Sequence, residues 1–329
     1  MPTVPTVLGH VDVDALGPTL MHEHIFIMST EHMQNYGAGS WWDEEERVED
    51  AVRKLTLLRD RGIRTMVDLT VQGLGRYIPR VRRVAERVPG LNIVVSTGFY
   101  TYDALPEHYA RRGPGLLWDV PEPLVTDFTR DLTDGIADTG VRAGMLKCCV
   151  EAQGLTPGVE RVVRAVAATH RETGTPISVH TDAESRSGLP ALKLLKEESA
   201  DLTRVVIGHA GDSTDLDYLM ELADSGCVLG MDRFGLSLYR STEDRVRTVA
   251  TLAARGYADR MVLSHDAHCF MDYMVPDPVG LEATFTPDWH YLHISDDVLP
   301  RLRAAGVSEQ QIEQMLVVNP RRLLARSWG

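Results

Sequence analysis

Several short apolar runs in this 329-residue chain end in side chains that bind metals or move protons. Thr19-Leu20-Met21 leads into His22-Glu23-His24, Ala143–Cys148 carries Lys147, and later runs end at His180, His209 and His265-Asp266. Side chains along a strand alternate with period two, so His22 and His24 share one face and Glu23 takes the other. Two imidazoles on one face can chelate a divalent ion. One His-x-His, or one strand-end histidine, is a weak signal by itself. Repetition gives it force, because apolar strands have little reason to end again and again in imidazole. A buried Asp266 beside such rings is costly unless it is paired or coordinated. Lys147 stands between Met145-Leu146 and Cys148-Cys149, a setting that disfavours an ammonium. Two readings of it stay open: a lysine snorkelling from a strand end, or one carboxylated by CO₂ whose carbamate bridges two metals as a carboxylate would.

The elements that must position these residues are legible as alternation. The strand candidates are Thr19–Met21, Thr65–Thr70, Asn92–Ser96, Ala143–Cys148, Ile177–His180, Val205–His209, Cys227–Met231 and Met261–Ser264. Several are near-continuous apolar runs, as expected of a parallel sheet covered on both faces. Helical patterns lie between them: Glu44–Arg61, Tyr77–Val88, Pro121–Asp134, Gly158–Glu172, Leu189–Glu197, Asp215–Asp224 and Thr242–Arg255. Asp43 and Ser241 read as N-caps, and Gly62, Gly140, Gly174 and Gly256 as C-terminal left-handed positions. Eight strands with intervening helices predict a (β/α)₈ TIM barrel, here a single domain over residues 1–329 with extra C-terminal helices at Asp296–Ala305 and Ser308–Val317. In such a barrel the active site forms at the C-terminal ends of the strands, where the ionisable residues fall.

Bulk properties exclude several classes. A formal charge of −13 argues against nucleic acid, which needs a basic face, and against an anionic membrane surface. No stretch approaches ~18 consecutive apolar residues, and the N-terminus has no signal-like pattern, so a cytoplasmic protein is expected. Cys148-Cys149 reads as two reduced buried thiols rather than a redox pair. Gly73-Leu74-Gly75 lacks a third glycine and a partner acid, so it reads as a tight turn and not a dinucleotide fingerprint. No Gly-x-Ser-x-Gly elbow is present, which disfavours a serine esterase.

His22-x-His24, Lys147, His180, His209 and Asp266, in that order on barrel strands, resemble the phosphotriesterase family of the amidohydrolase superfamily. Thr19–His24, Ser178–Thr181, Ile207–His209, Leu263–Asp266 and the closing Asn319-Pro320-Arg321-Arg322-Leu323 share the likeness, which spans essentially the whole chain. Within the family, Thr97–Tyr102 and Gly230–Gly235 look like the phosphotriesterase-like lactonases, closest to the actinobacterial N-acyl-homoserine lactonases. The resemblance implies two divalent ions per chain, Zn first, with Co, Mn or Fe as alternatives. It implies that His22, His24 and Asp266 hold a buried metal, that His180 and His209 hold an exposed one, and that carboxylated Lys147 and a hydroxide bridge them. Tyr100 would touch the bridging solvent or the substrate carbonyl, Arg233 would line the pocket, and Asp266 would carry a proton in catalysis. A small lactone is then the substrate, weak phosphotriesterase activity the side reaction, and a homodimer the family habit; a primary organophosphate triesterase or other amidohydrolase-type ester hydrolase is the alternative. A non-enzymatic ligand-binding barrel is disfavoured because the full donor set is present.

By the same resemblance, the segment from Cys269 to Ile294 corresponds to the loop after the eighth strand that shapes specificity in the family, and its Met271, Met274, Phe285 and Trp289 either face an acyl chain or pack the loop down. Trp41-Trp42 either faces the pocket or anchors its loop or a dimer interface. Nothing requires His265 or His268 as ligands, and His10, His32, His108 and His170 read as surface or loop residues.

Overall fold

The computed structural model describes residues 2–37, 42–274 and 286–325. Eight parallel strands form one sheet in sequence order: Thr19–Glu23, Thr65–Asp68, Asn92–Gly98, Met145–Val150, Ile177–Thr181, Val205–Gly208, Val228–Met231 and Met261–Leu263. They curl into a nearly closed (β/α)₈ barrel, with every expected strand recovered to within two residues at either end. The first and eighth strands stand at opposite ends of the hydrogen-bonded order, and the gap between them is closed past the strand ends. His22 N–H donates to Ser264 Oγ at 2.8 Å, Asp266 N–H to the His22 carbonyl at 3.1 Å, and His24 N–H to the Ala267 carbonyl at 2.9 Å.

Met21, Val67, Val94, Met145, Val206, Val228 and Val262 form one buried cluster inside the barrel. The opposite strand faces, Leu20, Met66, Ile93, Leu146, Ile207 and Leu229 among them, pack on the surrounding helices in a larger one. An N-terminal antiparallel hairpin, Thr3–Thr6 with Gly9–Asp12, was not foreseen from the sequence pattern. Its Val4, with Leu16, Leu323 and Leu324, joins the interior cluster.

The helices follow from their caps and stripes. Asp43 accepts from the Glu45 and Glu46 amides and starts Glu44–Asp60, whose Val48, Ala51, Leu55 and Leu58 form the buried stripe. Ser241 caps Thr242–Ala254 in the same way, and Gly174 closes Pro157–Thr173 at φ 64°. The C-terminal tail departs from two plain helices. A π turn, Ile294–Val298, precedes Leu299–Ala304, and another, Gln314–Val318, precedes Asn319–Leu324, which runs beyond the expected end at Val317. Each π turn comes just before an X-Pro pair, Leu299-Pro300 or Asn319-Pro320, and a proline removes a helical donor and crowds the carbonyl four residues back. Asn319 ties this tail to the eighth strand, donating to the carbonyls of Ala258 at 2.8 Å and Met261 at 2.7 Å. No helix among the described residues is long and apolar enough to cross a membrane.

His10, His32 and His108 are exposed as expected, but His170 is not. It is buried at 3% exposure, with Nδ1 2.7 Å from the Thr175 carbonyl and Nε2 accepting from Asp201 N–H at 3.1 Å. Its position on the inward stripe of Pro157–Thr173 overrides the polar expectation. Burial lowers its pKa, so the neutral ring is favoured by folding and its contribution is lost as pH falls below the unfolded value of about 6.5. We expect His170→Ala to cost about 1–3 kcal/mol at pH 7.5 and to flatten the loss of stability between pH 7 and 5. Urea denaturation at both pH values checks this, and an unchanged pH slope in the variant would count against it.

Candidate metal centre

His22, Lys147 and His180 on the first, fourth and fifth strands, and the residues just past the first, sixth, seventh and eighth strands, converge at the C-terminal mouth of the barrel. Register does much of this: Gly98 pairs with Lys147, Cys149 with His180, and His180 with Gly208, the residue before His209. Gly98 is required there, since a Cβ on it would lie 1.9 Å from the Lys147 carbonyl oxygen at φ +140°.

The first strand reaches the site by an irregularity. Leu20 packs in the outer cluster and Met21 in the interior one, so strict alternation would send His22 outward. The register shifts between Leu20 and Glu23, and the extra residue lets His22 face inward as well. His209 and Asp266 turn the chain at φ 62° and 55°, left-handed values uncommon for residues with a Cβ and typical of functional sites.

Four imidazoles, Asp266 and Lys147 come together here. His22 Nε2 and His24 Nε2 each lie 3.2 Å from Asp266 Oδ1. Donors sharing a tetrahedral divalent ion at about 2.0–2.1 Å stand roughly 3.3 Å apart, so this set fits one ion. His209 Nε2 and His180 Nδ1 are 2.9 Å apart, and Lys147 Nζ lies 3.3 Å from His22 Nε2. Tyr100 OH is 3.4 Å from His180 Nδ1 and 2.8 Å from Tyr102 OH.

The nitrogens facing away from this centre have partners of their own. Asp232 spans two rings, with Oδ2 2.8 Å from His22 Nδ1 and Oδ1 3.0 Å from His209 Nδ1, and it also accepts the His209 amide. Thr70 Oγ lies 2.8 Å from His24 Nδ1, and Glu151 Oε1 3.1 Å from His180 Nε2. Such outer contacts fix which nitrogen is free to bind a metal. His22, His209 and Asp232 also cluster closely enough to be considered as ligands, but these short Nδ1 contacts fit hydrogen bonds.

Electrostatics agree with a ligand role for three of the four rings. Burial lowers His24 and His209 and takes His180 down to about 4, so these rings are held in the neutral form that binds metals. His22 moves the other way: burial and Lys147 oppose protonation, but Asp266 and Asp232 on its two nitrogens outweigh them. Burial would raise Asp266, yet His22 and His209 hold it well below the usual carboxylate range. Burial also lowers Lys147. Glu151, hydrogen-bonded to His180, drops to about 2.

Arg233 lines the pocket as expected, but its guanidinium is doubly engaged, with Asp266 Oδ2 and Asp212 Oδ2 each at 2.9 Å. Arg245 backs Asp212 at 2.6 Å. Glu23 does leave the metal face, and its buried carboxylate accepts from the amides of His265 and Ala267 and sits 2.8 Å from His265 Nδ1. Sequence reasoning passed over Asp232, Thr70, Glu151 and Asp212. Asp232 was findable, because it follows the apolar run Val228–Met231 as Asp266 follows the eighth strand.

Above the centre is a cavity of about 360 Å³, lined by Ile27, Leu74, Leu236, Met271, Met274 and Trp289 among others. Trp289 serves both readings, since its Nε1 also donates to the His265 carbonyl at 2.9 Å. Trp42 packs on Phe26 and Phe270 and so anchors its loop; Trp41 and Phe285 lie outside the described residues.

A barrel whose strand ends gather imidazoles and a carboxylate around one point defines a class: the metal-binding barrel hydrolases. The Phosphotriesterase family model matches residues 2–324, and the chain belongs to that family. It is 53% identical to a phosphotriesterase homology protein of Mycobacterium tuberculosis (strain CDC 1551 / Oshkosh), over all of this chain and 99% of that one. It is 33% identical to an aryldialkylphosphatase of Saccharolobus solfataricus, covering 94% and 95% of the two chains. Among solved structures, that of the phosphotriesterase from Mycobacterium tuberculosis superposes with a TM-score of 0.95 at 53% identity, covering 99% of both chains. The chain is thus a phosphotriesterase-family hydrolase, and the family is a binuclear metal-dependent one.

Because Asp232 holds two rings at once, its loss should be felt at both. We expect Asp232→Asn to weaken metal retention roughly 10- to 100-fold, read by competition with a metallochromic chelator. Retention equal to the parent protein would show that the rings are held some other way.

Proposed function

We propose that the chain is a binuclear metal-dependent lactonase that opens N-acyl-homoserine lactones and related lactones, with weaker turnover of phosphotriesters. The observation that carries this is the pairing of the donor cluster with a neutral, largely apolar pocket. The cations among its described lining residues are Lys147 and Arg233, one deeply buried and the other already bound by two aspartates. Apart from the bound ions, the described lining offers an anionic substrate no free cationic side chain, whereas a neutral ester with an apolar arm fits the leucine, methionine and tyrosine walls.

His22, His24 and Asp266 would hold one ion, and His180 and His209 the other, with Lys147 as a carbamate between them. The depressed pKa of Lys147 supports that assignment, because a neutral amine is the form that reacts with CO₂. Imidazole and carboxylate donors suit Zn first, with Co, Mn or Fe as alternatives. When bound, the two ions would lower the pKa of a water molecule and polarise the scissile carbonyl.

The protein's own residues do the rest. Arg233 donates to Asp266 Oδ2 and fixes that carboxylate in orientation, while His22 and His209 hold it anionic. Asp266 then accepts the proton released as water attacks and delivers it to the departing ring oxygen. Tyr100, whose hydroxyl is hydrogen-bonded to Tyr102, steadies the substrate carbonyl beside His180. Leu238, Tyr239 and Tyr273, all more than half exposed at the mouth, offer a surface to an acyl chain. A phosphotriester is neutral too, and its phosphorus centre resembles the tetrahedral state of lactone opening, which accounts for a secondary aryldialkylphosphatase activity.

A pH-stat comparison of N-acyl-homoserine lactones, simple γ- and δ-lactones and a phosphotriester, all on one metal-replete preparation, tests the substrate assignment. Acyl-homoserine lactones should give the highest kcat/KM, and removing the ions with chelator should abolish turnover. Triester turnover above every lactone would reverse the ranking in favour of a primary triesterase.

The same reading makes the protein a cytoplasmic homodimer. Four free, buried cysteines suit a reducing compartment. The exposed Tyr36, Leu117 and Trp118 are large apolar side chains of the kind a partner copy covers. Sedimentation velocity at micromolar concentration should give a dimer that Trp118→Glu weakens, and a monomer at all concentrations would remove this part of the reading.

A further inference from the structure

Three of the four imidazoles at the centre are held by partners sealed from water, and the fourth is not. Asp232, at 1% exposure, orients His22 and His209, and Thr70, at 4%, orients His24. His180 is oriented by Glu151, whose side chain is 25% exposed on the pocket wall. Glu151 directly follows the fourth strand, Met145–Val150, which carries Lys147. One of its oxygens accepts the Ala152 amide at 2.8 Å, which leaves Oε1 aimed at His180 Nε2. With Nε2–H spent on Glu151, the free lone pair of the ring is at Nδ1, the atom 2.9 Å from His209 Nε2.

We propose that Glu151 is the positioning residue for His180, and that this half-open contact makes the metal position shared by His180 and His209 the more readily emptied of the two. The proposal rests on the two-ion reading given above. Water competes for an exposed carboxylate and screens it, so Glu151 restrains its ring less firmly than Asp232 restrains the other two. The His22–His24–Asp266 position has no such opening, because the partners of its two rings are buried.

The test follows release of metal from fully loaded protein into excess chelator with a metallochromic dye. Wild-type protein should release two ions in two phases of equal size. Glu151→Ala should accelerate the fast phase roughly 10- to 100-fold and leave the slow phase unchanged. Glu151→Gln, whose amide oxygen can still accept from Nε2–H, should fall between them. Should Glu151→Ala fold poorly, the Gln variant decides alone: a faster fast phase with an unchanged slow phase supports the assignment. Equal acceleration of both phases, acceleration of the slow phase alone, or no change in either overturns it. Fewer than two ions in the loaded wild-type protein would overturn the two-ion reading itself, an outcome distinct from failure of the Glu151 assignment.

Discussion

Closure of the barrel between its first and eighth strands is the constraint on which the site depends. The eighth strand is three residues long, and the hydrogen bonds that span the seam are made by the residues that follow it. His22, His24 and Asp266 supply both backbone groups to that seam and side chains to the candidate metal centre. The Glu23 carboxylate stitches the same edge by gathering the His265 and Ala267 amides. Buried backbone groups must be paired, so the seam cannot open without exposing them, and the donor geometry is fixed by the same bonds. The C-terminal tail joins in, because Ile294 N–H donates to His265 Nε2 at 3.0 Å. That bond leaves the His265 proton on Nδ1, facing Glu23, and burial takes the ring down to about 3, so it stays neutral.

Beneath the centre, the cost of buried charge is met by distribution. Asp232 and Asp266 lie among imidazoles and Arg233, and both are held below the usual carboxylate range although burial pushes the other way. Arg233 is in turn divided between Asp266 and Asp212, with Arg245 behind. Removing one member of such a chain leaves a partner charged and desolvated, which holds the cluster together as a unit. The left-handed backbone at His209 and Asp266 adds strain of order 1–3 kcal/mol at each, which the surrounding bonds hold in place.

Most of the fold was legible because its signals are local. Apolar runs of strand length, capped amphipathic stretches and their regular alternation carry a parallel barrel in the sequence itself, and all eight strands were recovered. The N-terminal hairpin was missed because its four-residue strands have too little periodicity to separate from loop. The π turns were missed because they depend on how a proline is accommodated inside a helix already packed on the barrel. His170 was misplaced because one polar residue on a helix stripe gives no sign of the carbonyl and amide waiting for it.

The sequence by itself determined which residues could bind metal and on which strand each one sits, since donor type and order are properties of the chain. In His22-Glu23-His24 the two imidazoles do face the barrel mouth and Glu23 turns away, but period two alone does not bring this about. The register shift that turns His22 inward after Met21 exists only against the second strand, as a matter of pairing between segments some 45 residues apart. Which nitrogen each ring presents was likewise settled by Asp232, Thr70 and Glu151, partners that lie 23 to 210 positions away along the chain. Local sequence states what a side chain can do; the direction it faces, and what holds it there, comes from contacts that form when the barrel closes.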